Sequence, residues 1–117
     1  MKAIIEVGRK GSVFSSVREQ LDEAQRGNLP NYRLSFESAR MLFAELTPAR
    51  LDLLNVLRGM GQVSVYALAK AAGRNYSNVH ADIVRLTELG LVERISDEAV
   101  QVPFDAVEIR MSLVQAA

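Results

Sequence analysis

LAKAAGRNYSNVHADIVRLTELGLVER, residues 68–94, carries helical periodicity cut once by a glycine and ended by another. Ala69 is small, as a residue must be where two helices cross closely. Gly73, four residues on, stands where the turn after a short helix needs a left-handed backbone that glycine adopts at little cost. Asn75 or Ser77 then caps the next helix. Its inward positions Val79, Ile83 and Leu86 fall within about 60° of one another at 100° per residue. Gly90 stops that helix, and Leu89-Gly90-Leu91 turns the chain onward.

Upstream, Ser64 caps a short helix whose apolar positions are Val65, Leu68, Ala69 and Ala72. Before it, Thr47-Pro48 marks a sharp helix start: Thr accepts from the first free amides, and Pro at the first helical position loses no bond by lacking its own N–H. Leu51, Leu54, Val56 and Leu57 supply the apolar side of this helix, and Gly59-Met60-Gly61 ends it. Downstream, Leu91–Ile95, the turn Ser96-Asp97-Glu98 and Ala99–Phe104 read as a β-hairpin. Three helices of about 12, 9 and 14 residues followed by a hairpin predict a winged helix-turn-helix over residues 47–104.

The flanks read differently. Lys2 to Val7 is a strand that alternates poorly, followed by a turn over Gly8–Gly11. Val13, Val17, Leu21 and Ala24 predict a helix ending at Gly27-Asn28, with Leu29-Pro30-Asn31 a loop. Tyr32, Leu34 and Phe36 alternate with Arg33 and Ser35 as in a half-buried strand, and Ser38 to Leu46 returns to helical spacing. Val107, Ile109, Met111 and Leu113 predict a last amphipathic strand. The expected fold is α+β, with an N-terminal extension over 1–46 serving dimerisation, the winged helix over 47–104, and a C-terminal strand and tail over 105–117. Each flanking strand has one apolar face and needs a partner, which a second copy can supply.

A chain of 117 residues, 49% apolar and 24% charged, is an ordinary globular composition with room for a modest core. No apolar stretch approaches a membrane span, and the first residues lack a signal-peptide core, so a cytoplasmic protein is expected. Zero cysteines exclude disulfides and thiolate metal sites, and the single His80 cannot build a multi-histidine centre. No clustered acid, base or nucleophile points to an enzyme, and no cofactor or metal is expected. Formal net charge is zero, so the distribution of charge matters more than its sum. Residues 1–46 hold seven basic and six acidic groups, residues 47–95 six and four, and residues 96–117 one and four.

The stretch 68–94 resembles the helix-turn-helix and wing of MarR-like regulators, and more closely a family of small transcriptional regulators of the antitoxin type. The resemblance extends through SFESARMLFAELTPARLDLLNVL and VPFDAVEIRMSL, roughly residues 35–113. It implies a dimeric, sequence-specific regulator of double-stranded DNA, a repressor acting on its own operon beside a toxin gene, with that toxin as protein partner. The sequence departs from the pattern twice. Arg74 replaces the usual aliphatic residue after the turn glycine, leaving Tyr76 or a shifted backbone to cover the core. Ser77 and Ala81 stand where basic residues flank the Asn78-Val79-His80 segment.

A winged helix lays its third helix in the major groove. With Val79 and Ile83 inward, the outward arc holds Arg74, Ser77, Asn78, His80, Ala81, Val84 and Arg85. Asn78 suits adenine, and Arg74 or Arg85 suits guanine or phosphate. Ser64 and Asn75 are caps whose neighbouring amides also suit phosphate. Tyr76 either stacks on the backbone of DNA or packs beneath the turn, and the departure at Arg74 favours packing. His80 fits DNA contact or simple exposure better than a metal. Asp82 is placed to pair with Arg85 or another basic neighbour. The wing tip Asp97-Glu98 repels phosphate, so Arg94 at the wing base is the better contact. The acidic wing and zero net charge also suit an alternative, in which the winged helix is a protein-interaction module that neutralises a partner protein.

Overall fold

The computed structural model describes residues 1–8, 25, 27 and 31–113. The turn expected over Gly8–Gly11, the helix expected from Ser12 to Gly27-Asn28 and most of the loop after it lie outside the described residues. The chain forms two units, one of Met1–Glu45 with Asp105–Ala117 and the other of Leu46–Phe104.

The first unit is built on strands β1 (Lys2–Val7), β2 (Tyr32–Phe36) and β5 (Ala106–Met111), with helix α1 (Ala39–Glu45) after β2. The strand order is β2-β1-β5, and β1 pairs in parallel with both neighbours. This explains the poor alternation of Lys2–Val7. A central parallel strand is covered on both faces, and Ala3, Ile4, Ile5 and Glu6 are all buried. The register places Ala3, Ile5 and Val7 on one face with Tyr32, Leu34 and Phe36 and with Val107, Ile109 and Met111. Lys2, Ile4 and Glu6 share the other face with Arg33, Ser35, Glu108 and Arg110. Buried Glu6 is matched by Arg33, whose Nη1 donates to its Oε1 at 2.7 Å. Each of the two flanking strands is paired along one side with β1 of the same chain.

The second unit holds α2 (Pro48–Met60), α3 (Val65–Ala72), α4 (Tyr76–Glu88) and the hairpin β3 (Glu93–Ser96) and β4 (Ala99–Gln101). Thr47 Oγ1 accepts from the Arg50 amide at 3.2 Å, and Pro48 opens α2. Ser64 Oγ accepts from the Ala67 amide at 3.0 Å. Gly73 ends α3 at φ +64°, and its amide and that of Arg74 donate to the last carbonyls of that helix. Asn75, rather than Ser77, caps α4: its Oδ1 accepts from the amides of Ser77 and Asn78 at 2.8 and 3.4 Å.

Leu53, Leu54, Leu57, Leu68, Ala69, Val79, Ile83, Leu86, Leu91 and Val100 form the core of this unit. Leu53 displaces Leu51 and Val56, which are only half-buried. With leucines at 51, 53 and 54, periodicity alone leaves the phase of α2 open, and the partner helices decide it. The segment before α3 adds a short third rung to the wing, where Val63 and Val100 exchange backbone hydrogen bonds of 3.2 and 2.8 Å. Arg58 Nη1 on α2 donates to the Val102 carbonyl at 3.2 Å, tying the wing base to the helices. No helix among the described residues is long and apolar enough to cross a membrane.

Candidate nucleic-acid interface

Helix α4 turns Val79, Ile83 and Leu86 into the core, and its other side therefore faces outward. On that side Tyr76, Ser77, Asn78, His80, Ala81 and Val84 are exposed, and Arg85 is half-exposed. The amide of Asn78 and the hydroxyl of Ser77 lie in the first turn, where a helix seated in a groove meets base edges. Arg85 lies two turns on and reaches Glu88 at 3.6 Å, a loose pair on the helix surface. Exposed Asn75 spends its side-chain oxygen on the cap, and half-buried Ser64 does the same.

Two placements correct the expectations drawn from the sequence, and a third decides between the partners it left open. Arg74 does not join the outward arc. Its Nη2 donates to Asp82 Oδ2 at 2.8 Å, and its Nη1 is buried with no hydrogen-bond partner among the described residues. Of the basic neighbours open to it, Asp82 takes Arg74 and Arg50 of α2, whose Nε donates to Oδ1 at 3.0 Å. A carboxylate between two guanidiniums takes the place of the missing aliphatic residue after the turn. Nor does Tyr76 pack beneath the turn: it is 48% exposed, and its ring lies 5.8 Å from that of His80, one helical turn on.

Burial pushes the Asp82 pKa up, but the hydrogen bonds and charges of Arg74 and Arg50 outweigh it and hold the carboxyl below its ordinary range. In the wing, exposed Arg94 donates through Nη1 to the Asp97 carbonyl at 3.3 Å, folding its cation over the turn. Asp97 and Glu98 are exposed at the tip. Sequence reasoning overlooked Tyr66 and Lys70 of α3, both exposed and one helical turn apart. The first helix of such a pair crosses the DNA backbone, and their spacing of four on the polar side of α3 was the available signal. Among the described residues, no group of three His, Asp or Glu side chains is placed to hold a metal ion.

A three-helix core with a left-handed glycine turn, an outward polar recognition helix and a β-hairpin defines a winged helix-turn-helix protein. The chain belongs to the HVO_A0114 family, whose model matches residues 45–109, more than half its length. No curated protein matches it. Two solved structures from Mycobacterium bovis are similar to it. One is the crystal structure of a possible transcriptional regulatory protein (fragment 1–100), 26% identical over 57% of this chain and 81% of that one, with a TM-score of 0.43. The other is the solution structure of a homodimeric winged helix-turn-helix DNA-binding domain described as a possible ArsR-family regulator, 25% identical over 80% of this chain and 69% of that one, with a TM-score of 0.47.

Proposed function

We propose that this protein is a sequence-specific regulator that binds double-stranded DNA through α4 and the wing, as a homodimer. The observation that carries the reading is the exposed face of α4, where Ser77, Asn78, His80, Ala81 and Arg85 stand together over a buried Val79-Ile83-Leu86 stripe. Asn78 reads a base edge in the major groove, and Arg85 pairs with guanine or phosphate. Tyr76 and His80 form a surface ring pair that lies against sugar and phosphate. Arg94, Lys70 and the amides beside Ser64 and Asn75 position the protein on the backbone. Two-fold operators match two-fold proteins, which supports the dimer. The resemblance to antitoxin-type regulators supports the finer reading of a repressor of its own operon, with a toxin as partner.

Electrophoretic retardation of the chain's own promoter DNA tests this. The wild type retards it in a salt-dependent manner. Asn78→Ala weakens binding about 5- to 150-fold, corresponding to about 1–3 kcal/mol, and relaxes preference at one base position. Arg94→Ala weakens binding to all sequences alike. Absence of any salt-dependent retardation sinks the reading.

A second reading keeps the fold and changes the partner. The exposed acidic wing tip and the capture of Arg50 and Arg74 by Asp82 leave a surface with few cations, which suits a module that neutralises a partner protein. Copurification of a stoichiometric protein partner that is unaffected by Asn78→Ala and Arg85→Ala favours this second reading.

A further inference from the structure

Strand β5 pairs with β1 along one side, and among the described residues no strand lies on its other side. An open edge invites another strand unless charge, proline or a bulge blunts it. Parallel sheets are ordinarily covered on both faces, yet on the apolar face of β5 Ile109 and Met111 are 41% and 47% exposed. On the polar face stand Glu108 and Arg110, with Lys2 Nζ 3.0 Å from Glu108 Oε1 and Arg110 Nη2 3.1 Å from its Oε2. Hydrogen bonds from Lys2 and Arg110 hold the Glu108 carboxyl below its ordinary range, so it is ionised across the neutral region.

We propose that the open edge of β5 is the interface with a second copy of this chain, the two strands pairing antiparallel about a two-fold axis at Ile109. The two three-stranded sheets then become one six-stranded sheet. The register follows from charge. A two-fold axis normal to the sheet sets the same edge against itself antiparallel and keeps like faces together, so the axis must pass through a residue position. An axis at Glu108 opposes two carboxylates, and one at Arg110 opposes two guanidiniums, both unfavourable. An axis at Val107 or Met111 leaves these charges without opposite partners. With the axis at Ile109, Glu108 faces the partner's Arg110 and Arg110 faces the partner's Glu108. On the apolar face Ile109 meets its own copy and Val107 meets Met111, which covers the two exposed side chains. The charge pattern that would protect an edge against arbitrary strands is complementary to itself in this one register.

The proposal deepens the dimeric reading above and rests on it. Sedimentation equilibrium of the full chain without DNA tests both separately. The wild type runs at twice the chain mass. Arg110→Glu and Glu108→Arg each weaken self-association about ten-fold or more, because like charges then face each other twice. An equimolar mixture of the two variants returns to the dimer mass, since it sets two acidic side chains against two basic ones. Because the chain has no cysteine, Ile109→Cys reports on the axis directly: mild oxidation links it into a covalent dimer, while Ser112→Cys, three positions from the axis, stays unlinked. Charge variants that remain dimeric, with no linkage through Ile109→Cys, overturn this interface and leave the dimeric reading standing. A monomeric wild type overturns both.

Discussion

Asp82 shows how one side chain reorganises a recognition helix. It accepts from Arg50 and Arg74 at 3.0 and 2.8 Å, so two of the cations nearest the proposed interface serve the fold. Its carboxyl has a folded pKa below the ordinary value. A depressed carboxylate contributes stability above its unfolded pKa and loses it as the pH falls through the folded one. Asp82→Asn therefore lowers stability at neutral pH by about 2 kcal/mol. It also makes the acid-side decline shallower than in the wild type, as read by urea unfolding at a series of pH values. An unchanged pH slope refutes the assignment. The sequence showed that Asp82 needs a basic neighbour but not which: its partners lie 32 and 8 residues away, brought together by packing and not by helical spacing.

At the level of elements, the caps and stops were legible because they are local. Thr47, Ser64 and Asn75 accept from amides two or three residues ahead, a distance the sequence itself prescribes. Two glycines make opposite predictions. A methyl group on Gly73 meets nothing within 4 Å, yet φ is +64°, so Gly73→Ala costs about 1–2 kcal/mol from backbone conformation alone. Gly59 also has open space and no positive φ, within α2, so Gly59→Ala stabilises by about 0.5–1 kcal/mol. Denaturant midpoints that move the same way for both variants refute this pair of assignments. The phase of α2 and the double-sided burial of β1 were not legible, since leucine-rich and short apolar segments admit more than one facing.

For the whole molecule, the salt dependence of the proposed DNA binding follows from the number of phosphate contacts and not from the zero net charge. With Arg50 and Arg74 held by Asp82, the exposed or half-exposed cations of the proposed interface are Lys70, Arg85 and Arg94. Each neutralised phosphate contributes about −0.9 to the slope of log affinity against log salt, so about three contacts give a slope near −3 per copy. A slope steeper than about −6 per copy, measured by titration across salt concentrations, places the main contacts elsewhere on the chain. The winged helix is also inserted in the chain of the sheet unit, since β5 follows it and returns to pair with β1.

The sequence alone determined the winged helix and the exposed face of its third helix. Glycine conformation, capping hydrogen bonds and a 3.6-residue period all act within a few residues. Tertiary structure decided the rest. It drew Arg74 inward to Asp82, turned Tyr76 outward to His80, and gave both flanking strands to β1, because ion pairing and parallel strand pairing join residues whose separation along the chain carries no local signal.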